Sequence, residues 1–292
     1  MKYTRYVLPF LLLPIAACNQ ADDSADAYGN FEAIEVMVSA ESGGRIISFL
    51  PGEGELLEKD QVSVRLDTTQ LYLKKLGLES GFSTLVSRIR TLDAQLHASR
   101  VQLDNLEREQ IRVENLVKGG AATSKQQDDI NGQVSLLEAQ IAATASQKDA
   151  VYAEQRTLEV QISQVEDQIA RCAVRNPIDG MLLTKYKEQG EMAVPGQALF
   201  KMARMDELIL RAYLSGDQLS SVKLGAELSV RYDIAGALGE TTGVVSWISS
   251  RAEFTPKIIQ TREERVNMVY AIKVVVDNDG SLKIGMPGEV VF

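Results

Sequence analysis

The sequence predicts a mixed α+β protein of elongated form, in which a small β domain is split by a long antiparallel coiled-coil α-hairpin and followed by a small β-barrel. Three observations predict it. Two glycine-bearing segments match each other at a fixed offset of 136 residues. The stretch between them, 68–172, has no proline and a sustained helical hydrophobic repeat. Beyond residue 205 the chain alternates as strands do, with Gly, Asp and Asn at the turns.

The first element is an address. Lys2 and Arg5 precede an apolar run from Tyr6 to Ile15, too short for the ~20 residues a membrane-spanning helix needs but of the size of a signal-peptide core. Ile15-Ala16-Ala17-Cys18 follows at once and resembles a lipoprotein signal, which implies cleavage after residue 17 and acylation of Cys18. The alternative is an ordinary signal peptide cleaved elsewhere. Residues 18–30 are polar and acidic and read as a flexible tether.

The split β domain comes next, as 31–67 and 173–205. Gly44, Gly54, Glu55 and Gln61 recur as Gly180, Gly190, Glu191 and Gln197, and Asp60 aligns with Gly196. Each segment reads as strand, turn, strand, turn, strand. Halves this short cannot bury a core alone, but a facing pair can. The two segments resemble the halves of a biotinyl-lipoyl domain. Lys201 lies near the end of the second half, away from the turn that carries the modified lysine in such carriers, and is expected to be an unmodified, exposed strand residue.

Between the halves, a 3,4-spaced stripe runs from Leu71 to Val117 and a second from Ile130 to Cys172. Of their 27 positions 21 are apolar, where the 45% hydrophobic composition would give about 12, so the stripes mark a coiled coil. They mirror each other about Gly120, with partner numbers summing to about 243, so that Ser99 faces Thr144 and Leu71 faces Cys172. Gly119 and Gly120 supply the turn, near 118–123. Each helix of about 50 residues would be ~75 Å long. Gly77 and Gly81 mark a bend or a close approach in the first helix, and the off-stripe Val101, Ile111, Leu136 and Val160 suggest contacts with neighbouring chains. Cys172 reads as a small buried hydrophobe and His97 as a solvated helix residue.

The last element, 206–292, contains five strand-like runs: ELILRAYL, ELSVRY, TTGVVSWIS, NMVYAIKVVV and EVVF. SGDQLSSVKLG reads as a short capped helix and turn, and Arg251 to Val266 as a polar excursion. A strand at Ile34–Val38 is expected to enter this barrel as the sixth.

Composition excludes several function classes. A formal net charge of -9 opposes nucleic-acid binding, which needs a basic face. One histidine and two distant cysteines leave too few ligands for a nitrogen–sulfur zinc site, and no His-dependent nucleophile. No phosphate loop or dinucleotide fingerprint is present. No catalytic residue, cofactor or metal is expected.

A lipoyl-like domain split by a helical hairpin, behind a lipoprotein signal, resembles the HlyD-type periplasmic adaptors (membrane fusion proteins). SGGRI with GEGELLEKDQVSVRLD resembles the family's first half-motif, and VRNPIDGMLL with EQGEMAVPGQALFKM its second. EFTPKIIQTREERVNMVY with LKIGMPGEVVF resembles the barrel of adaptors that serve ABC-type exporters. At the tip, Arg112, Leu116 and Thr123 fill the spacing R-x3-L-x6-[ST] of adaptors that dock onto a TolC-like outer-membrane channel. Arginine offers five donors, leucine fills a groove, and the hydroxyl caps the second helix; the alternative is helix stability and capping alone.

The resemblance implies a non-enzymatic adaptor in the periplasm of a Gram-negative bacterium, lipid-anchored to the inner membrane. It implies a hexameric ring that joins an inner-membrane ABC-type exporter to the channel. The chain stops after the barrel, where adaptors of proton-driven pumps typically continue, which favours the ABC class. Other readings are a proton-pump adaptor, a carrier domain of an acyl- or carboxyl-transfer enzyme, and a lipid-anchored envelope scaffold without transport.

Overall fold

A computed structural model describes residues 25–234, 237–254 and 268–292. The signal peptide, Cys18, most of the tether and most of the polar excursion lie outside the described residues. In chain order the elements are β1 (Ala27–Glu32), β2 (Glu35–Ser39), β3 (Gly44–Phe49), β4 (Leu56–Leu57), β5 (Val62–Leu66), α1 (Thr69–Lys118), α2 (Ser124–Ala170), β6 (Ala173–Arg175), β7 (Gly180–Lys185), β8 (Met192–Ala193), β9 (Ala198–Ala203), β10 (Glu207–Ser215), a 3-10 turn (Gln218–Ser221), β11 (Glu227–Ile234), β12 (Ala237–Ile248), β13 (Glu253–Phe254), β14 (Met268–Asp277) and β15 (Pro287–Val291). They form two compact units, one of residues 35–203 and one of residues up to 34 with 204–292.

In the first unit the 136-residue repeat is structural. β3 and β7 occupy positions one offset apart, as do β4 and β8, and β5 and β9. Two four-stranded sheets, ordered β2-β9-β7-β4 and β6-β5-β3-β8, each draw strands from both halves. Every half-motif therefore completes its partner's sheet. The repeated residues have repeated tasks. The Gly54 N–H donates to Leu182 O and the Gly190 N–H to Ile46 O, both at 2.8 Å. Glu55 and Glu191 each accept the N–H three residues earlier, and Gln61 and Gln197 do the same. Among the described residues only Asp60 holds a positive φ without being glycine, at 63°, and its counterpart Gly196 sits at 83°.

One symmetry-related contact differs between the halves. Leu199 and Ala40 are apolar and buried, whereas their counterparts are Ser63 and Asn176, also buried. The Ser63 hydroxyl donates to Asn176 Oδ1 at 2.6 Å, and Asn176 Nδ2 donates to Glu58 O at 3.0 Å. Asn176→Ala leaves that hydroxyl unpaired and is expected to cost about 1–3 kcal/mol. The double change Ser63→Leu with Asn176→Ala copies the other half and is expected to recover much of the loss. Denaturant midpoints of the parent and both variants check this; a single variant as stable as the parent would show that the pair contributes nothing, and a double variant no more stable than the single one would show that the apolar copy does not replace it.

The hairpin follows the stripes. Ile89, Leu92, Leu96, Ile130, Val134, Leu137, Val151 and Val165 are its buried residues, all on the expected seams. Three of the six polar positions on the seam are matched across it: Lys75 Nζ lies 2.7 Å from Glu166, Lys148 Nζ 2.5 Å from Asp93, and Gln110 Nε2 donates to Asn131 Oδ1 at 2.8 Å. The numbers of each pair sum to 241, within two of the expected register. α1 is continuous through both glycines; a Cβ on Gly81 would touch Leu158 at 3.5 Å, whereas one on Gly77 would meet open space. Leu71 and Cys172 pack into the core of the split β domain and seat the base of the hairpin there.

In the second unit β10, β1, β15, β11, β12 and β14 pair in that order, and β14 returns to β10, closing a six-stranded barrel; β13 adds to β14 beside β12. Phe31, Leu208, Leu210, Leu214, Ile272, Val274 and Val290 fill it. Two expectations need correction. The sixth strand is Ala27–Glu32, which spans the end of the expected tether and the start of the expected first half-motif, and the expected strand at Ile34–Val38 instead forms β2, paired with β9 in the split domain. The cause is non-local: Gly29 and Asn30 give β1 a turn-like composition, while alternation in 34–38 marks a strand without naming its partner. The segment after β10, expected as a short capped helix, is a 3-10 turn with no side-chain cap at its start; the Gln218 side chain accepts the Ser215 N–H at 3.0 Å.

Candidate docking site at the hairpin tip

The reversal between the helices is built from short-range hydrogen bonds. Gly120, at φ 75°, lets the N–H of Ala121 reach Leu116 O at 2.8 Å while its own N–H reaches Val117 O at 3.0 Å. This is the Schellman arrangement, which satisfies the last carbonyls of α1. Gly119 is the C-cap, with helical φ of -83°. On the other side Thr123 is the N-cap of α2 in a complete capping box: its hydroxyl accepts the Gln126 N–H at 3.4 Å, and the Gln126 side chain accepts the Thr123 N–H at 2.8 Å. Thr123 thus holds the turn, as the sequence pattern suggests. Thr123→Ala is expected to cost about 1 kcal/mol locally. Faster hydrogen exchange at Gln126 and Gln127 should report it, with protection around Val151 unchanged; equal exchange at the tip would remove the box from the account.

Arg112 and Leu116 stand four residues apart on one exposed face of α1, beside the seam and not on it. Leu116 is 42% exposed although apolar. Arg112 pairs with Glu109, whose carboxylate holds the guanidinium above its already high range. Lys118 pairs with Glu114 at 2.7 Å, so the last turns of α1 carry cations where the helix dipole favours them. The fold therefore brings Arg112, Leu116, Gly119, Gly120 and Thr123 together at one end of the hairpin. The described structure does not reach Cys18.

Other candidates resolve into structure. Cys172 is buried, its thiol donating to Gln168 O at 3.3 Å. Lys201 is not an exposed strand residue: it is partly shielded in β9 and bridges to Glu35 at 2.8 Å, which raises its pKa and keeps it a cation. Sequence reasoning missed this partner because β2 was assigned to the barrel. No helix among the described residues is long and apolar enough to cross a membrane.

No protein-family model matches the chain. It is 24% identical over 299 residues to a UPF0194 membrane protein of Citrobacter koseri, covering 94% of this chain and 90% of that one. To a UPF0194 membrane protein of Yersinia pseudotuberculosis it is 26% identical over 307 residues at the same coverage. Among solved structures it superposes on MacA from Actinobacillus actinomycetemcomitans with a TM-score of 0.58 and 19% identity, covering 90% of this chain and 76% of that one. The periplasmic adaptor protein EmrA superposes with a TM-score of 0.50 and 17% identity, covering 91% of this chain and 97% of that one.

Proposed function

We propose that this chain, which has the fold of the HlyD-type periplasmic adaptors, is the adaptor subunit of a tripartite export system and performs no bond chemistry. Cys18 carries the lipid that holds it to the inner membrane. Copies assemble into a hexameric ring, to which the exposed Val101, Ile111, Leu136 and Val160 contribute contacts. The ring joins an inner-membrane ABC-type exporter to a TolC-like outer-membrane channel.

The observation that carries this reading is the tip. A rigidly capped reversal presents an arginine and an exposed leucine on one face, where neither serves the hairpin's own seam. Arg112 supplies forked donors to channel carbonyls or carboxylates, Leu116 enters an apolar groove, and Gly119, Gly120 and Thr123 fix the geometry.

Isolation of the acylated chain from detergent-solubilised envelopes tests the inner-membrane half. Co-isolation of a transporter with a nucleotide-binding domain is the expected result. Recovery of a proton-driven pump in its place would overturn the ABC assignment, and recovery of neither transporter nor channel would overturn the adaptor reading in favour of an envelope scaffold.

A further inference from the structure

Near one rim the β-barrel exposes large side chains that its core does not bury; of these the Trp247 ring has the Lys273 ammonium 5.6 Å from its centre. β1 and β14 start there and β15 ends there, with Ala27 opposite Val290, Ser229 opposite Val291 and Ser215 opposite Val269; β12 ends close by, its Ile248 opposite Ile272, three residues along β14 from Val269. Beneath it Ala27, Leu214, Val222 and Val269 are buried. Around it Tyr28 is 57% exposed, Leu224 69%, Trp247 41% and Met268 61%. Leu224 and Trp247 flank the hydrogen bond from the Gly225 N–H to Val245 O, at 2.8 Å. The exposed cations Lys223 and Arg251 stand beside them, with Asp217 and Glu227 as exposed carboxylates. An aromatic, aliphatic and cationic set of this kind is the composition of a membrane–water interface anchor.

The chain outside the structure says what covers it. Asp26 is pinned at this rim: its N–H donates to Val290 O at 2.9 Å, its Oδ2 accepts the Phe292 N–H at 2.9 Å, and its carbonyl accepts Gln218 Nε2 at 2.8 Å. Cys18 precedes it by only eight residues, which span at most about 29 Å when fully extended. An acyl anchor at Cys18 therefore holds this rim within that distance of the headgroups.

We infer that the rim rests on the phospholipid headgroup layer of the membrane that holds the anchor, with Tyr28, Leu224, Trp247 and Met268 entering the interface and Lys223 and Arg251 meeting phosphates. This rests on the reading of Cys18 as the acylated residue. The net charge of -9 makes adhesion by charge alone unfavourable, so apolar insertion and the tether must carry the contact.

Trp247 is the sole tryptophan, so its fluorescence reports the rim directly. The full acylated chain is reconstituted into vesicles of phosphatidylethanolamine and phosphatidylglycerol, some of the lipid brominated in the acyl chain near the headgroup. A shift of the emission to shorter wavelength with quenching by the brominated lipid is expected. Leu224→Asp with Met268→Asp, both on exposed side chains, should remove both effects while the chain still floats with the vesicles. Flotation without a shift or quenching would overturn the inference and leave the anchor standing. Failure to float would reject the anchor; coupling Cys18 to a maleimide lipid, with Cys172 buried and out of reach, then supplies the tether, and absence of quenching in that form overturns the inference. A shift that appears only when an inner-membrane transporter is co-reconstituted, without lipid quenching, would assign the rim to that protein and equally overturn it.

Discussion

A chain carrying Leu116→Asp is expected to be exported, to fold like the parent and to lose its hold on the outer-membrane channel. Leu116 contributes little to the hairpin, because it lies off the seam and is exposed. The change costs the helix only a few tenths of a kcal/mol in propensity and a similar amount against the dipole at the end of α1. In a groove the arithmetic differs. An uncompensated carboxylate forced into an apolar site costs about 3 kcal/mol or more, a loss of over a hundredfold in affinity. Leu116→Met keeps the volume and should retain function. Circular dichroism and co-isolation of the channel separate the effects: unchanged helicity with loss of the channel is the expected pair. Retained co-isolation and export with Leu116→Asp would show that the leucine is an ordinary surface hydrophobe.

The second large effect is expected at Gly29. β1 closes the barrel by pairing with β10 on one side and β15 on the other. A Cβ at Gly29 would lie 2.0 Å from Arg211 O and 2.6 Å from the Ala212 Cα, both backbone atoms of β10 that no rotamer change can move. Gly29→Ala must therefore push β1 off its neighbour, and with it Phe31 out of the core. The expected cost exceeds the about 1–3 kcal/mol of ordinary overpacking. Thermal unfolding followed by Trp247 fluorescence should show an early barrel transition, while far-ultraviolet ellipticity, dominated by the hairpin, melts as in the parent. An unchanged barrel transition would mean that residues 27–32 are not a barrel strand.

These two positions show how far the sequence can be read. Seam residues such as Leu92 and Val151 were legible because a helical repeat is local, and the 136-residue offset was legible because the same turn chemistry recurs at Gly54 and Gly190. β1 was not, since six residues with two core side chains, Ala27 and Phe31, look like tether until β10 and β15 are known to lie beside them. The lysines that interrupt the seam have no partner in the stripe pattern; Glu166 and Asp93, which answer them, lie on the opposite helix and off the stripes. At the tip, glycine and threonine announced the turn, and the capping box explains Thr123 in full. Leu116 carries no such local explanation, and Arg112 has only Glu109 one turn back on the same exposed surface, which is why the functional reading rests on these two.

Site-specific photocrosslinking from position 116 in living cells, with captured proteins identified by mass, tests the central claim most directly. Capture of an outer-membrane channel protein is the predicted result. Capture of only other copies of the chain, or of nothing, in cells where the chain is exported and folded, would contradict it.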